Sequence, residues 1–240
     1  VQSALVTRNI KDTLVITGPP GSGKTLLLIA RAKWLASIHQ NWTIKVIAYN
    51  NLLVSYLSDL VQDLPNVEVS TFRDFARKRG DLINEKDETR ALTDLNKAKR
   101  NGILKDNDAI LIDEAQDFFP AWIRYCLETA KPNKGGIVLV GDEQQSIYRD
   151  GSFAGAFLGH DVEITKLDKP YRCTKQIMHF AEVLSGFKDD GRGELSPDGP
   201  PVDVIFSDTW EESAQAVVWE ISNMVLSGER DPGSIAVLCT

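Results

Sequence analysis

The sequence has few of the residues that build disulfide frameworks or zinc sites. Its 240 residues include three cysteines and three histidines. Cys126, Cys173 and Cys239 lie far apart, are odd in number, and match no metal-binding spacing. These features argue against a disulfide framework and a zinc site. Because free cysteines are typical of a reducing compartment, we expect a cytoplasmic protein.

Long apolar runs are also missing. No segment approaches the roughly 20 consecutive apolar residues that cross a bilayer, so we expect no membrane-spanning helix and no membrane partner. The first ten residues include Arg8 and no long apolar stretch, so a signal peptide is not expected there. The sequence begins at Val1 rather than at a methionine, and we therefore expect a trimmed chain.

The sequence has no overall excess of basic residues. It has 27 Lys and Arg against 34 Asp and Glu, a formal net charge of −7, which argues against a small basic protein that coats nucleic acid. Residues 71–105 are an exception, because ten basic and six acidic side chains make this segment locally positive. Two interpretations stay open: the segment attracts the phosphate backbone of nucleic acid, or it is an ordinary solvated helical surface.

Short apolar runs alternate with helix-like stretches along the chain. Leu14–Thr17, Ile110–Ile112 and Ile137–Val140 have the composition of buried strands. This alternation predicts an α/β fold, in which helices cover both faces of a parallel sheet.

A second set of elements begins after Gly159 and predicts a second domain. The first domain would cover residues 1–158, with a short helical insertion at about 76–107, and the second would cover residues 159–240. The strands predicted for the second domain are Glu163–Leu167, Val202–Phe206 and Ile235–Cys239. Because the last strand ends with the sequence, we expect this domain to be incomplete. All five tryptophans are assigned to packing.

A glycine-rich segment between a strand and a helix has the pattern of a phosphate-binding loop, or P-loop. Residues 18–25 match G-x-x-x-x-G-K-[ST]. In such a loop the glycines let backbone N–H groups surround phosphate oxygens, and the positive end of the helix attracts the same anion. We predict that Lys24 contacts the β- and γ-phosphates and that the Thr25 hydroxyl binds Mg²⁺. The predicted nucleotide-binding residues of the loop are Gly18, Pro19, Pro20, Gly21, Ser22, Gly23, Lys24 and Thr25.

Two consecutive carboxylates follow the buried run Ala109–Ile112. Asp113 stands at the end of this strand and is predicted to hold Mg²⁺, directly or through water. Glu114 is predicted to orient and deprotonate the attacking water. Without the P-loop, an acidic turn at a strand end would explain both residues equally well.

Five segments carry further motifs. They are Ile47-Ala-Tyr-Asn-Asn51, Val69-Ser-Thr-Phe-Arg-Asp-Phe75, Asp113-Glu-Ala-Gln-Asp117, Gly141-Asp-Glu-Gln-Gln-Ser-Ile-Tyr148 and Lys169-Pro-Tyr-Arg-Cys-Thr-Lys-Gln-Ile177. In this order, and after a P-loop, they resemble the motifs of UvrD/Rep-like superfamily 1 DNA helicases. The resemblance covers nearly all of residues 2–185.

The resemblance implies two RecA-like domains with ATP bound between them. By position it assigns Gln2 to recognition of adenine and Tyr171 to stacking on the same base. It assigns Gln145 to sensing the γ-phosphate and Arg172 to contacting this phosphate from the second domain. The alternatives that stay open are an exposed Gln2, a Tyr171 that packs in the core and an Arg172 in a surface salt bridge.

The resemblance also implies contacts with nucleic acid. In such contacts aromatic rings stack on bases, and hydroxyl or cationic groups hold phosphates. The residues at or beside these positions are Tyr49, Asn51, Thr71, Phe72, Arg73 and Tyr148. Phe72 and Phe75 are also explained as core residues.

The sequence departs from the resembled pattern at two places. After Tyr148, Asp150 and Gly151 stand where an aromatic residue and an arginine are usual, which weakens one base-stacking position. The interval between the Thr-Phe element and Asp113 is short, where larger relatives insert a helical subdomain. The fifth and sixth motifs would lie beyond residue 240.

The resemblance implies the ATP-binding and hydrolysing portion of an ATP-dependent DNA helicase or single-stranded DNA translocase, truncated before the last motifs. Its implied cofactors are ATP and Mg²⁺, and its implied partner is single-stranded DNA, with RNA not excluded. Further domains or effector proteins are expected beyond residue 240. Two alternatives stay open: an ATP-gated nucleic-acid-binding regulatory module coupled to a nuclease or other effector, and an RNA-directed superfamily 1 helicase.

Overall fold

The structure, a computed structural model, describes residues 2–10, 13–142, 162–168, 171–185 and 196–238. The chain divides into two compact units, Val1–Asp198 and Gly199–Thr240.

A six-stranded parallel sheet forms the centre of the first unit. Its strands are β1 (Thr13–Thr17), β2 (Ile44–Ala48), β3 (Val67–Thr71), β4 (Ala109–Ile112), β5 (Ile137–Gly141) and β6 (Val162–Lys166). They lie in the order β3-β2-β4-β5-β1-β6, and every neighbouring pair is parallel. All residues of β1, β4 and β5 are buried, as expected for inner strands with helices on both faces. The predicted α/β fold is confirmed.

Helices cover both faces of this sheet. They are α1 (Gln2–Thr7), α2 (Lys24–Ile38), α3 (Asn51–Val61), α4 (Phe72–Lys78), α5 (Glu88–Asn101) and α6 (Pro120–Thr129). A seventh helix, α7 (Lys175–Ser185), belongs to the same unit. Side chains from α1, α2 and α3 form one hydrophobic cluster, and side chains from α4, α5 and α6 form another. Val15 belongs to the second cluster and its neighbours Leu14 and Ile16 to the first, so the clusters lie on opposite faces of β1. No helix among the described residues is long and apolar enough to span a bilayer.

The carboxyl ends of all six strands lie at one edge of the sheet. Each predicted motif except the one at Lys169 either contains one of these ends or follows it directly, and that one begins three residues after β6. Neighbouring strands are about 4.8 Å apart, so the end of β3 lies roughly 19 Å from the end of β1, four spacings away. The edge therefore has room for two separate sites.

The strand predicted to open the second domain belongs to the first sheet. β6 pairs with β1 along its whole length, from Val162 to Lys166. The predicted boundary between residues 158 and 159 lies outside the described residues, and the observed units divide between Asp198 and Gly199. An apolar run marks a strand but does not say which sheet it joins, because pairing depends on residues far away in the chain.

The second unit contains helix α8 (Trp210–Leu226) and a 3-10 helix, Pro232–Ser234. None of its described residues is buried. The predicted strands Val202–Phe206 and Ile235–Cys239 are wrong for the described residues, which form no strand there. An apolar segment becomes a strand only when a neighbour completes its hydrogen bonds, and no described segment does so here.

The tryptophans do not all pack as predicted. Trp122 is buried on α6, whereas Trp210 and Trp219 on α8 are mostly exposed. The prediction of packing is therefore wrong for these two residues within the described structure, because the second unit has no core to receive them.

Candidate functional site

The segment between β1 and α2 closes around the Lys24 ammonium group. Lys24 is the first residue of α2 and is buried. Its Nζ donates hydrogen bonds to the carbonyl oxygens of Gly18, at 2.7 Å, and Pro19, at 3.0 Å. Gly21 and Gly23 have φ angles of 71° and 86°, in the left-handed region that glycine adopts without strain. The loop thus needs glycine at two turns to place the cation inside it.

Carboxylates from two neighbouring strand ends face Lys24. Burial lowers the pKa of Lys24, and the positive charge of Arg172 lowers it as well. The charges of Asp142, Glu114 and Asp113 act in the opposite direction. Three acidic groups at the ends of β4 and β5 therefore stabilise the charged form of Lys24.

The end of β4 faces the beginning of α2. The Thr25 hydroxyl donates to Asp113 Oδ1 at 3.3 Å, and the backbone N–H of Glu114 donates to the same oxygen at 3.1 Å. Asp113 is only 1% exposed. Its second oxygen, Oδ2, is buried and has no hydrogen-bond partner among the described residues. Buried polar atoms rarely stay without a partner, and hydroxyl and carboxylate oxygens are the ligands that Mg²⁺ prefers. The two predicted Mg²⁺ ligands are thus brought together and fit this ion.

The ionisation of Asp113 responds to the same surroundings. Burial raises the pKa of Asp113 from its ordinary 3.8 to about 6, and the charge of Glu114 raises it too. The hydrogen bonds from Thr25 and from the Glu114 backbone, together with the charge of Lys24, lower it. A cation bound at Oδ2 would favour the charged carboxylate.

Glu114 follows in an unusual backbone conformation. Its φ of 48° and ψ of 47° lie in the left-handed region, which residues other than glycine rarely adopt. A 3-10 helix, Ala115–Asp117, begins directly after it. Gln116 Nε2 donates to Glu114 Oε2 at 2.8 Å, and the backbone N–H of Asp142 donates to Gln116 Oε1 at 3.1 Å. Sequence reasoning did not single out Gln116, although it lies within the 113–117 motif.

The segment after β6 lies against the P-loop. The backbone N–H of Tyr171 donates to the carbonyl oxygen of Gly21 at 2.8 Å. A Cβ built on Gly21 would lie 2.6 Å from Arg172 Cβ, and one built on Gly18 would lie 2.8 Å from the carbonyl oxygen of Leu167. Tyr171 and Arg172 thus reach the P-loop from within the first compact unit, whereas the resemblance implied that Arg172 reaches it from a second domain.

The side chains of three predicted residues are not described by the structure. Gln2 begins α1, but its side chain is outside the described part of the structure. Gln145 and Tyr148 lie outside the described residues.

A groove of about 460 Å³ lies at the ends of β2 and β3. The predicted nucleic-acid residues among its lining are Tyr49, Asn51, Thr71, Phe72 and Arg73. Arg73 is exposed and forms an ion pair with Glu85 at 3.1 Å. Arg77, one turn further along α4, also lines the groove and is exposed. The groove therefore combines two guanidinium groups with the carboxylates of Asp74 and Glu85 and the polar ends of two strands.

Thr71 has a structural role at the beginning of α4. Its hydroxyl accepts the backbone N–H of Asp74 at 3.2 Å and donates to Asp74 Oδ2 at 2.9 Å. This arrangement satisfies a backbone donor that the first turn of a helix leaves unpaired. Thr71 thereby sets the position of Arg73.

The assignment of Phe72 to nucleic acid is corrected by its burial. Phe72 is 2% exposed, and its ring stacks on Trp122 with centroids 4.6 Å apart. Phe72, Phe75 and Ala76 occupy one face of α4 and belong to the same hydrophobic cluster. The ring of Phe72 is a core element and is not available to stack on a base.

Comparison with known proteins gives one family match. The model of the AAA_19 family, an AAA domain, matches residues 2–150. No curated protein sequence matches this chain.

Similar solved structures include the Pyrococcus furiosus Hef helicase domain, with 14% identity and a TM-score of 0.40, over 69% of this chain and 37% of that one. Domain III of the Thermotoga maritima replication initiation protein DnaA has 15% identity and a TM-score of 0.39, over 95% of this chain and 83% of that one. This chain thus spans 37% of the length of the Hef helicase domain. Both TM-scores are low, so neither likeness says anything about the function of this chain.

Proposed function

The chain belongs to the AAA domain family, and from this premise we propose that it is an ATP-dependent enzyme acting on nucleic acid. The observation that carries the proposal is the meeting of Lys24, Thr25, Asp113 and Glu114 at the ends of β1 and β4. Asp113 Oδ2 has no hydrogen-bond partner among the described residues, which supports a cation site beside the P-loop.

In the proposed reaction, a water attacks the γ-phosphorus of ATP, the bond to the ADP oxygen breaks, and a proton of the water passes to the Glu114 carboxylate. Lys24 holds the phosphates, and Thr25 and Asp113 would hold Mg²⁺. When bound, Mg²⁺ supplies charge neutralisation on the phosphate oxygens. Arg172, beside Gly21, adds a second positive charge for the transition state.

More specifically, we propose a single-stranded DNA translocase or helicase. The groove at the ends of β2 and β3 supports this proposal because exposed Arg73 and Arg77 are suited to bind a phosphate backbone. β4 and β5 lie between β2, at the groove, and β1, which leads into the P-loop, and the backbone N–H of Asp113 at the end of β4 donates to the carbonyl oxygen of Ile47 on β2 at 2.9 Å. This hydrogen bond connects β2, at the groove, directly to Asp113 of the candidate site.

The first test is ATP hydrolysis with and without a single-stranded DNA oligonucleotide. We expect DNA to stimulate hydrolysis, and we expect Lys24→Ala and Arg172→Ala to abolish the stimulated rate because each removes a charge beside the phosphates. Lys33→Ala is the matched control, since Lys33 is an exposed lysine on the same helix α2. A rate that DNA never raises would count against a nucleic-acid motor.

A second arm separates the possible nucleic-acid substrates. Matched DNA and RNA oligonucleotides compete for binding, and the stimulated rate of ATP hydrolysis reports the competition. We expect DNA to compete more strongly. Stronger competition by RNA would replace the DNA motor by an RNA-directed enzyme. Binding that depends on ATP but shows no directional movement would favour an ATP-gated binding module.

A further inference from the structure

Gln116 bridges two strand ends of the candidate site. Its Nε2 donates to Glu114 Oε2 at 2.8 Å, and its Oε1 accepts the backbone N–H of Asp142 at 3.1 Å. Glu114 follows β4, whereas Asp142 follows β5. A carboxamide carries a donor and an acceptor on one rigid plane, so a single side chain joins the two ends.

The close packing of Gly141 is independent evidence that the fold fixes the position of the Gln116 amide. It is the last residue of β5, and a Cβ built on it would lie 2.6 Å from Gln116 Oε1. The same Cβ would lie 3.3 Å from the backbone nitrogen of Gln116 and 3.4 Å from that of Ala115. Any larger residue at 141 would displace the amide, so the close approach requires glycine.

Glu114 needs such support. Its left-handed backbone conformation is one that persists only where the surroundings hold it. The hydrogen bond from its own N–H to Asp113 Oδ1 supports the backbone, and the hydrogen bond from Gln116 restrains the carboxylate. A free Glu side chain would occupy many rotamers, and few of them could face an attacking water.

We propose that Gln116 is a positioning residue that holds the Glu114 carboxylate for water activation and links its position to the end of β5. The proposal rests on the ATP hydrolysis proposed above. A displacement of Asp142 would lengthen its hydrogen bond to Gln116 and so release Glu114.

Three substitutions test the two halves of this bridge. Gln116→Glu keeps an oxygen for the Asp142 N–H but removes the donor to Glu114, whereas Gln116→Leu removes both. Gly141→Ala leaves the amide intact but pushes it away. For each variant we expect kcat of ATP hydrolysis to fall about ten- to a hundredfold, while Kd for a fluorescent ATP analogue changes less than about twofold. The exposed controls Gln62→Leu and Gly233→Ala should keep the wild-type kcat.

A double substitution distinguishes positioning from a general structural role. If Gln116 acts through Glu114, adding Gln116→Leu to Glu114→Gln leaves the residual rate unchanged. A further loss equal to that of Gln116→Leu alone, or a wild-type kcat in Gln116→Leu, would overturn the inference. Should Gln116→Leu unfold, the nearly isosteric Gln116→Glu takes its place in the cycle. A wild-type chain that hydrolyses no ATP defeats the proposed function and this inference with it, whereas an active wild type with unaffected variants defeats this inference alone.

Discussion

Asp113 combines deep burial with a carboxylate oxygen that has no hydrogen-bond partner among the described residues. Its pKa of about 6, against an ordinary 3.8, means that the folded chain binds a proton more tightly than the unfolded chain does. The stability contributed by the neutral carboxyl group is therefore fully present below about pH 4 and is lost as the pH rises through about 6.

We predict that Asp113→Asn removes this dependence in metal-free protein. The free energy of unfolding of the variant, relative to wild type, should increase from about pH 4 to about pH 7 by at most about 3 kcal/mol. Urea denaturation at both pH values measures it, with the exposed residue Asp63→Asn as control. A stability difference between Asp113→Asn and wild type that does not depend on pH would contradict the raised pKa of Asp113.

Gly21 combines a left-handed backbone conformation with a close neighbour. Its φ is 71°, and a Cβ there would lie 2.6 Å from Arg172 Cβ. We predict that Gly21→Ala weakens binding of an ATP analogue at least about tenfold, because the loop must distort to admit the methyl group. Gly80→Ala is a control for backbone strain alone, since Gly80 has a φ of 83° and no atom lies within 4 Å of the added Cβ. This control should lose about 1 kcal/mol of stability and keep nucleotide affinity.

Among the helices, α1 depends on one buried guanidinium group of α2. Arg31 Nη1 donates to the carbonyl oxygens of Val6, at 3.0 Å, and Arg8, at 2.9 Å. These carbonyls are among those that the end of a helix leaves unpaired. Burial lowers the pKa of Arg31 to about 10, which still leaves it charged at neutral pH.

Replacing Arg31 should detach α1 from α2. Arg31→Met keeps the apolar stem but leaves the carbonyls of α1 unpaired, and we expect a loss of about 2–3 kcal/mol in chemical denaturation. Proteolysis within the first ten residues should become faster. Lys33→Met, at an exposed position of the same helix, is the matched control. Equal stability of the two variants would show that the guanidinium does not hold α1.

Arg77 on α4 distinguishes two ways in which the positive segment, residues 71–105, binds nucleic acid: through the groove, or through its general exposed surface. Arg77 lines the groove and forms no ion pair within the described residues. We predict that Arg77→Ala weakens single-stranded DNA binding and reduces the salt dependence of affinity by about one phosphate contact. Arg100→Ala, exposed on α5 in the same positive segment, tests the alternative. If it weakens binding equally, the segment is a diffuse basic surface rather than a groove.

The two compact units differ in how they are stabilised. Both hydrophobic clusters consist of residues between Leu5 and Leu167, so the first unit has two cores. The described residues of the second unit include no buried side chain, and α8 depends on local contacts. The Thr209 hydroxyl accepts the N–H of Glu212 at 3.2 Å, and Glu212 Oε2 accepts the N–H of Asp208 at 3.0 Å. These two local hydrogen bonds stabilise the first turn of α8 and do not depend on a hydrophobic core.

Removing residues 199–240 should therefore leave the first unit folded. We expect its Tm to change by less than about 3 °C, because no residue of either core is lost. Limited proteolysis of the intact chain should cut first within Gly199–Thr240, which exposes most of its side chains. A large fall in Tm would mean that the second unit contributes to the stability of the first.

The amino-acid sequence alone determined the features that depend on neighbours in the chain. The P-loop was predicted because glycine spacing governs local backbone geometry, and Asp113 was placed at a strand end by the apolar run before it. The buried strand predicted at Ile137–Val140 is observed as β5, because its apolar run lies within one segment. The alternation of strands and helices was sufficient for the fold class.

Tertiary structure decided everything that requires a partner far away in the chain. It placed β6 beside β1, buried Phe72 against Trp122, and left the apolar segments of the second unit without strand neighbours among the described residues. It also brought Gln116 to Asp142, across 26 positions. Such contacts depend on which surfaces pack together, and a local pattern constrains the type of an element but not its neighbour.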